Sequence, residues 1–134
     1  MNKLKSTTVW VMIAVLSLLA TACKKKKTEE VENEVTITLM HPNEGDTVAS
    51  MVNYMIHGSI NATHEIHGYR ISLRDELQQV YLDTTYDVHA TNLTIHEMWM
   101  NQVVDTVHMT LTVDVVKDHE GNHQLKTVHF VALP

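Results

Sequence analysis

From residue 35 to its end the chain predicts an all-β domain, built as a sandwich or barrel of six or seven short antiparallel strands. Three observations carry that prediction. Apolar residues recur with a period of two in short runs, turn-forming residues separate the runs every 8–12 residues or so, and no stretch sustains the 3.6-residue period of an amphipathic helix.

In the first strand Val35, Ile37 and Leu39 alternate with Thr36, Thr38 and Met40, which gives one buried and one exposed face. His41-Pro42-Asn43-Glu44-Gly45-Asp46 then supplies turn residues, since proline cannot donate to a ladder and glycine accepts positive φ. The second strand sets Val52, Tyr54 and Ile56 inward and Met51, Asn53, Met55 and His57 outward. Residues 58–64 are expected to turn. Beyond them His67, Tyr69, Ile71 and Leu73 alternate with Gly68, Arg70, Ser72 and Arg74. Residues 78–82 and 93–97 make two shorter strands, the second reaching Met100 if its alternation persists. The sixth is the clearest, with Val107, Met109, Leu111, Val113 and Val115 inward against His108, Thr110, Thr112 and Asp114. Asp118-His119-Glu120-Gly121-Asn122 forms a hairpin turn, and the last strand points Val128, Phe130 and Ala132 to the core.

Two turns carry a resemblance. Pro42-x-x-Gly45-Asp46-x-Val48 and Asp118-x-x-Gly121-Asn122 are similar to the turns of bacterial immunoglobulin-like and fibronectin type III-like domains. The resemblance covers about residues 34–134 and implies an immunoglobulin-like β-sandwich, at residues 35–134, of about seven antiparallel strands, without the inter-sheet cysteine pair of many such domains. It describes turns, so it implies a fold and no function.

The N-terminal segment has a different character. Lys3 and Lys5 precede an apolar run of 12 residues, 9–20, too short to cross a bilayer of about 30 Å as a helix. Leu19-Ala20-Thr21-Ala22-Cys23 resembles a bacterial lipoprotein signal, departing from it at Ala20, where leucine is commoner. The resemblance implies that residues 1–22 are removed and that Cys23, the single cysteine, becomes the lipidated N-terminus and membrane anchor. Residues 23–34 then form the lipidated cysteine and a charged, disordered tether, whose 11 residues after Cys23 reach at most about 36–40 Å. In such lipoproteins an aspartate after the cysteine marks retention at the inner membrane. Lys24 stands there, so the resemblance implies the outer membrane, on its periplasmic or its surface face. As a whole the chain is similar to small envelope lipoproteins of Bacteroidota, a resemblance that implies a location and no activity.

Charge separates along the chain. The net charge is −6, but from Thr28 onward four bases face sixteen acids, which sets residues 28–134 at −12 with histidines neutral. Nucleic acid is excluded as a partner, because binding it needs a basic surface. All ten histidines lie in this acidic part.

If the first, second and fifth strands share a sheet, the outer face of that sheet gathers methionines and histidines. Met55 and His57 come from the second strand, and His96, Met98 and Met100 from the fifth. Thioether and imidazole are the soft ligands that Cu(I) prefers. Methionines there also suit the filling of a core or a dimer contact, and Trp99 between them suits the end of the sandwich. His64, His67 and His89 are candidate Zn(II) ligands, provided that the turn bends to bring the first two together. Asp118, His119 and His123 surround the last hairpin turn and are expected to face solvent.

Catalysis is not expected. Ser50, Ser59 and Ser72 sit in no nucleophile motif, and the chain has no HExxH pattern or glycine-rich phosphate loop. Two readings stay open: a non-catalytic binding or structural module for an envelope protein or glycan, and a metal-binding protein for Cu(I) or Zn(II).

Overall fold

The structure, a computed structural model, describes residues 31–134. The leader, Cys23 and residues 24–30 of the expected tether lie outside the described residues. Among the described residues eight strands form: β1 (Val35–His41), β2 (Thr47–Val48), β3 (Asn53–Ala62), β4 (Tyr69–Asp75), β5 (Val80–Tyr86), β6 (Asn92–Met100), β7 (Val107–Val116) and β8 (His123–Ala132). They make a three-stranded sheet of order β1-β3-β6 and a five-stranded sheet of order β2-β8-β7-β4-β5. This is the β-sandwich that the alternation predicts, in the immunoglobulin-like arrangement that the resemblance of the turns implies, with the first, second and fifth predicted strands in one sheet.

The core lies between the sheets. Ile56, Ile60 and Ile95 of the first meet Ile71, Leu73, Leu111, Val113 and Phe130 of the second, all buried. Each such side chain contributes about 1.5–3 kcal/mol on leaving water. Met109 is buried among them as expected. Trp99 is buried too, edge-on to Phe130 at 6.1 Å and to Tyr81 at 6.3 Å, which makes it a core residue.

Three local expectations are corrected. Gly58 does not begin a turn, because β3 runs through it to Ala62. A Cβ at position 58 would lie 2.3 Å from the Thr38 carbonyl oxygen, so this glycine lets β1 approach closely where its ladder shifts register between Leu39 and His41. The eighth strand, β2, hides in a turn-rich stretch. Its two residues pair in parallel with Val131 and Ala132, helped by the Val131 amide donating to the Asp46 carbonyl at 2.9 Å.

The folded unit also begins before residue 35, at Glu32, and runs to Pro134. Glu32 pairs with Lys117 at 2.9 Å. Asn33, expected in the tether, is buried: its Nδ2 donates to the carbonyls of His64, Glu65 and Lys117 at 3.1, 3.3 and 2.9 Å, and its Oδ1 accepts from the His64 amide at 2.9 Å. Polar residues that tie loops together leave no trace in a hydrophobic period.

Antiparallel pairing gathers three connections at one end of the sandwich, residues 63–68, 87–91 and 117–122. They are stitched by backbone bonds, Ile66 amide to Ala90 carbonyl at 3.0 Å and His67 amide to Val116 carbonyl at 2.8 Å.

Candidate metal sites

The outer face of the three-stranded sheet is set by the β3·β6 register. Met55 lies directly opposite Met98, His57 opposite His96, and Asn53 opposite Met100. Alternation places these side chains on the solvent face, and Met55 is 43% exposed and Met98 59% exposed. Met40, Met51 and Met100 are exposed as well. Directly opposed Cβ atoms stand about 4.5–5.5 Å apart, and long side chains also reach the diagonal neighbour. Two thioethers and two imidazoles therefore form a four-residue block.

Within it the His57 and His96 rings meet edge to face at 6.1 Å. The His57 Nδ1 is buried and lacks any hydrogen-bond partner, the only such side-chain atom among the described residues. A polar atom so placed costs about 1–3 kcal/mol of unrecovered hydration. Met100 flanks the block, its sulfur accepting from Gln102 Nε2 at 3.3 Å.

His41 was hidden from sequence reasoning. Simple alternation assigns it to the turn, but the register shift in β1 places it opposite His57, so His41, His57 and His96 fall in one row across three strands. The backbone bulge that achieves this has no mark in the sequence beyond Gly58 opposite it.

The second candidate set is only partly assembled. His67 and His89 meet, Nδ1 to Nδ1 at 3.1 Å. His64 does not join them, since its Nδ1 lies 3.2 Å from the Thr63 hydroxyl while its backbone is held by Asn33. In its place His119, expected to face solvent alone, stacks on His67 with ring centroids 3.8 Å apart. Spacing could not reveal this, because the three residues come from three different connections. His123 and His129 are engaged elsewhere, with Asp114 at 2.7 Å and Glu44 at 3.1 Å.

Charged pairs decorate the remaining surface. Arg70 Nε donates to Asp83 Oδ1 at 2.6 Å and its Nη2 to Oδ2, a two-pronged pair that holds the Asp83 carboxyl below the usual carboxylate range. Glu44 is lowered chiefly by the His129 backbone amide, which donates to its Oε2 at 3.0 Å.

Among the described residues no three His, Cys, Asp or Glu side chains form a metal site by themselves. The outer face differs in carrying thioethers beside its imidazoles, donors of the softness that Cu(I) prefers. Fold and site together define an immunoglobulin-like β-sandwich with a solvent-facing thioether and imidazole block on its smaller sheet. No protein-family model and no curated protein matches the chain. Among solved structures it is similar to CopC from Methylosinus trichosporium OB3b, at 13% identity and a TM-score of 0.45, over 74% of this chain and 95% of that one. It is similar also to the CARDB domain of the PF1109 protein from Pyrococcus furiosus, solved with di-metal ions, at 13% identity and a TM-score of 0.45, over 77% and 96% of the two chains. Likenesses of this degree assign no residue of the site.

Proposed function

We propose that the protein is a non-catalytic Cu(I)-binding module, held at the bacterial outer membrane by a lipidated Cys23. The observation that carries the metal reading is the block of Met55, His57, His96 and Met98, paired in register on a solvent-facing sheet with the His57 Nδ1 left without a partner. Two thioethers and two imidazoles match the softness of Cu(I), and an exposed face lets the ion arrive and leave without unfolding. Met100 and His41 stand beside the block as further donors.

The test uses residues 32–134, a compact unit with its own core that lacks the competing thiol of Cys23. Under reducing conditions, titration against a Cu(I) chelator should show one ion per chain bound tighter than about 10 μM. Met55→Leu and Met98→Leu keep shape and remove sulfur. Each should weaken binding at least about tenfold, as should His96→Ala. Absence of binding in the wild-type unit, or leucine variants with unchanged affinity, would refute the reading. The anchor is tested separately by the intact mass of the membrane-extracted protein, which should show acylated Cys23; a water-soluble chain with an unmodified cysteine would refute that part.

A further inference from the structure

A second cluster lies at the end of the sandwich where three connections meet. It draws one histidine from each: His67 from residues 63–68, His89 from 87–91 and His119 from 117–122. We infer that His67, His89 and His119 form a binding site for a divalent cation of borderline softness, Zn(II) in the first instance, separate from the Met/His face and independent of it.

Geometry supports this at three points. Zn–N bonds of about 2.0–2.1 Å at a tetrahedral angle place two ligating nitrogens about 3.3–3.4 Å apart. The Nδ1 atoms of His67 and His89 already stand 3.1 Å apart. In their hydrogen bond one Nδ1 offers a free lone pair, the form in which imidazole ligates a metal, and the donating Nδ1 takes that form once its proton moves to Nε2 of the same ring. His119 supplies the third donor. Its ring now lies against His67, with centroids 3.8 Å apart and a 38° tilt, so the three imidazoles do not yet converge on one point. A side-chain rotation of one exposed imidazole closes it, a motion of picoseconds to nanoseconds.

The backbone beneath the three rings is fixed in advance. Asn33 bonds to the carbonyls of His64, Glu65 and Lys117, tying the first connection to the third. Asp118 Oδ1 accepts from the amides of Glu120 and Asn122 at 3.0 Å each, which holds the turn that carries His119. Gly68, at φ +114°, lets the chain turn sharply after His67; a Cβ there would lie 2.6 Å from the Tyr86 carbonyl oxygen. Loops held this firmly present their ligands without a large ordering cost on binding. Asp87, whose Oδ1 is 3.7 Å from His89 Nε2, adds negative charge beside the cluster.

Zn(II) titration of the 32–134 unit against a competing chelator tests the site. One ion should bind at about 10 μM or tighter. His67→Ala, His89→Ala and His119→Ala should each weaken binding at least about tenfold, while His64→Ala and His123→Ala stay within about twofold. Imidazole NMR resonances of the unmutated unit should shift with zinc at His67, His89 and His119, a readout that does not depend on any variant folding. Unchanged affinity in His119→Ala, equal loss in His64→Ala, or shifts centred on other histidines would overturn the proposal. Met55→Leu and Met98→Leu should leave Zn(II) binding intact, and His119→Ala should leave Cu(I) binding intact, so either site can fail alone.

Discussion

Asn101 is wholly buried, and its side chain does at one end of the sandwich what that of Asn33 does at the other. Its Nδ2 donates to the carbonyls of Val48, Ala49 and Leu133 at 3.1, 3.0 and 2.8 Å, and its Oδ1 accepts from the Val103 amide at 3.2 Å. Replacing it with alanine strands several buried backbone groups and opens a void, and each group left unpaired costs about 1–3 kcal/mol. Asn101→Ala should therefore lower stability by about 2–4 kcal/mol and Asn33→Ala by about 1–3 kcal/mol, read as shifts in the urea midpoint. A loss under about 0.5 kcal/mol at both sites, the range of ordinary surface substitutions, would show that water serves these carbonyls equally well. Neither role is legible in the sequence. An asparagine that caps loops and one that merely faces solvent are identical in a hydrophobic pattern, and only the fold reveals which carbonyls lie within reach.

The strands tell a different story at the scale of elements, because their alternation is a direct imprint of burial. Val107 to Val115 shows it throughout, and β7 runs from Val107 to Val116. Where the period breaks, so does the reading: Gly58 looks like a turn and is a close approach, and β2 is too short to have a period. The same alternation placed Met55, His57, His96 and Met98 on one face, whereas His67, His89 and His119 could not be joined, since their convergence depends on how three loops fold. If the methionine face serves binding and not stability, Met55→Thr and Met98→Thr should change the unfolding free energy by less than about 0.5 kcal/mol, while Ile56→Ala, one position along β3, costs about 2–5 kcal/mol. Equilibrium urea unfolding of the three variants makes the comparison. A loss above about 1 kcal/mol in either threonine variant would assign that methionine a packing role.

Over the whole molecule the opposing charges matter through a few well-placed pairs. The folded unit, residues 32–134, carries −10 with histidines neutral, and four bases plus ten histidines would take it to +14 once every acid is protonated, so strong acid replaces one self-repulsion with another. Against that background Asp83 and Glu44 bind their protons more weakly in the fold than in the unfolded chain, Asp83 through the Arg70 hydrogen bonds and Glu44 through the His129 amide. As pH falls, the unfolded chain therefore takes up these protons first. The stability they contribute is complete above their unfolded values, about 3.9 for Asp and 4.3 for Glu, and disappears as the pH drops through the lower folded values. An Asp83→Asn/Glu44→Gln double variant should thus unfold at lower urea than the wild type at pH 7, and the gap should narrow steadily between pH 5 and pH 3, ending near zero when both carboxyls of the wild type are protonated. A gap that stays constant down to pH 3 would mean that these side chains act through shape and neutral hydrogen bonding, and that ionisation of these two carboxyls contributes nothing to the stability of the fold.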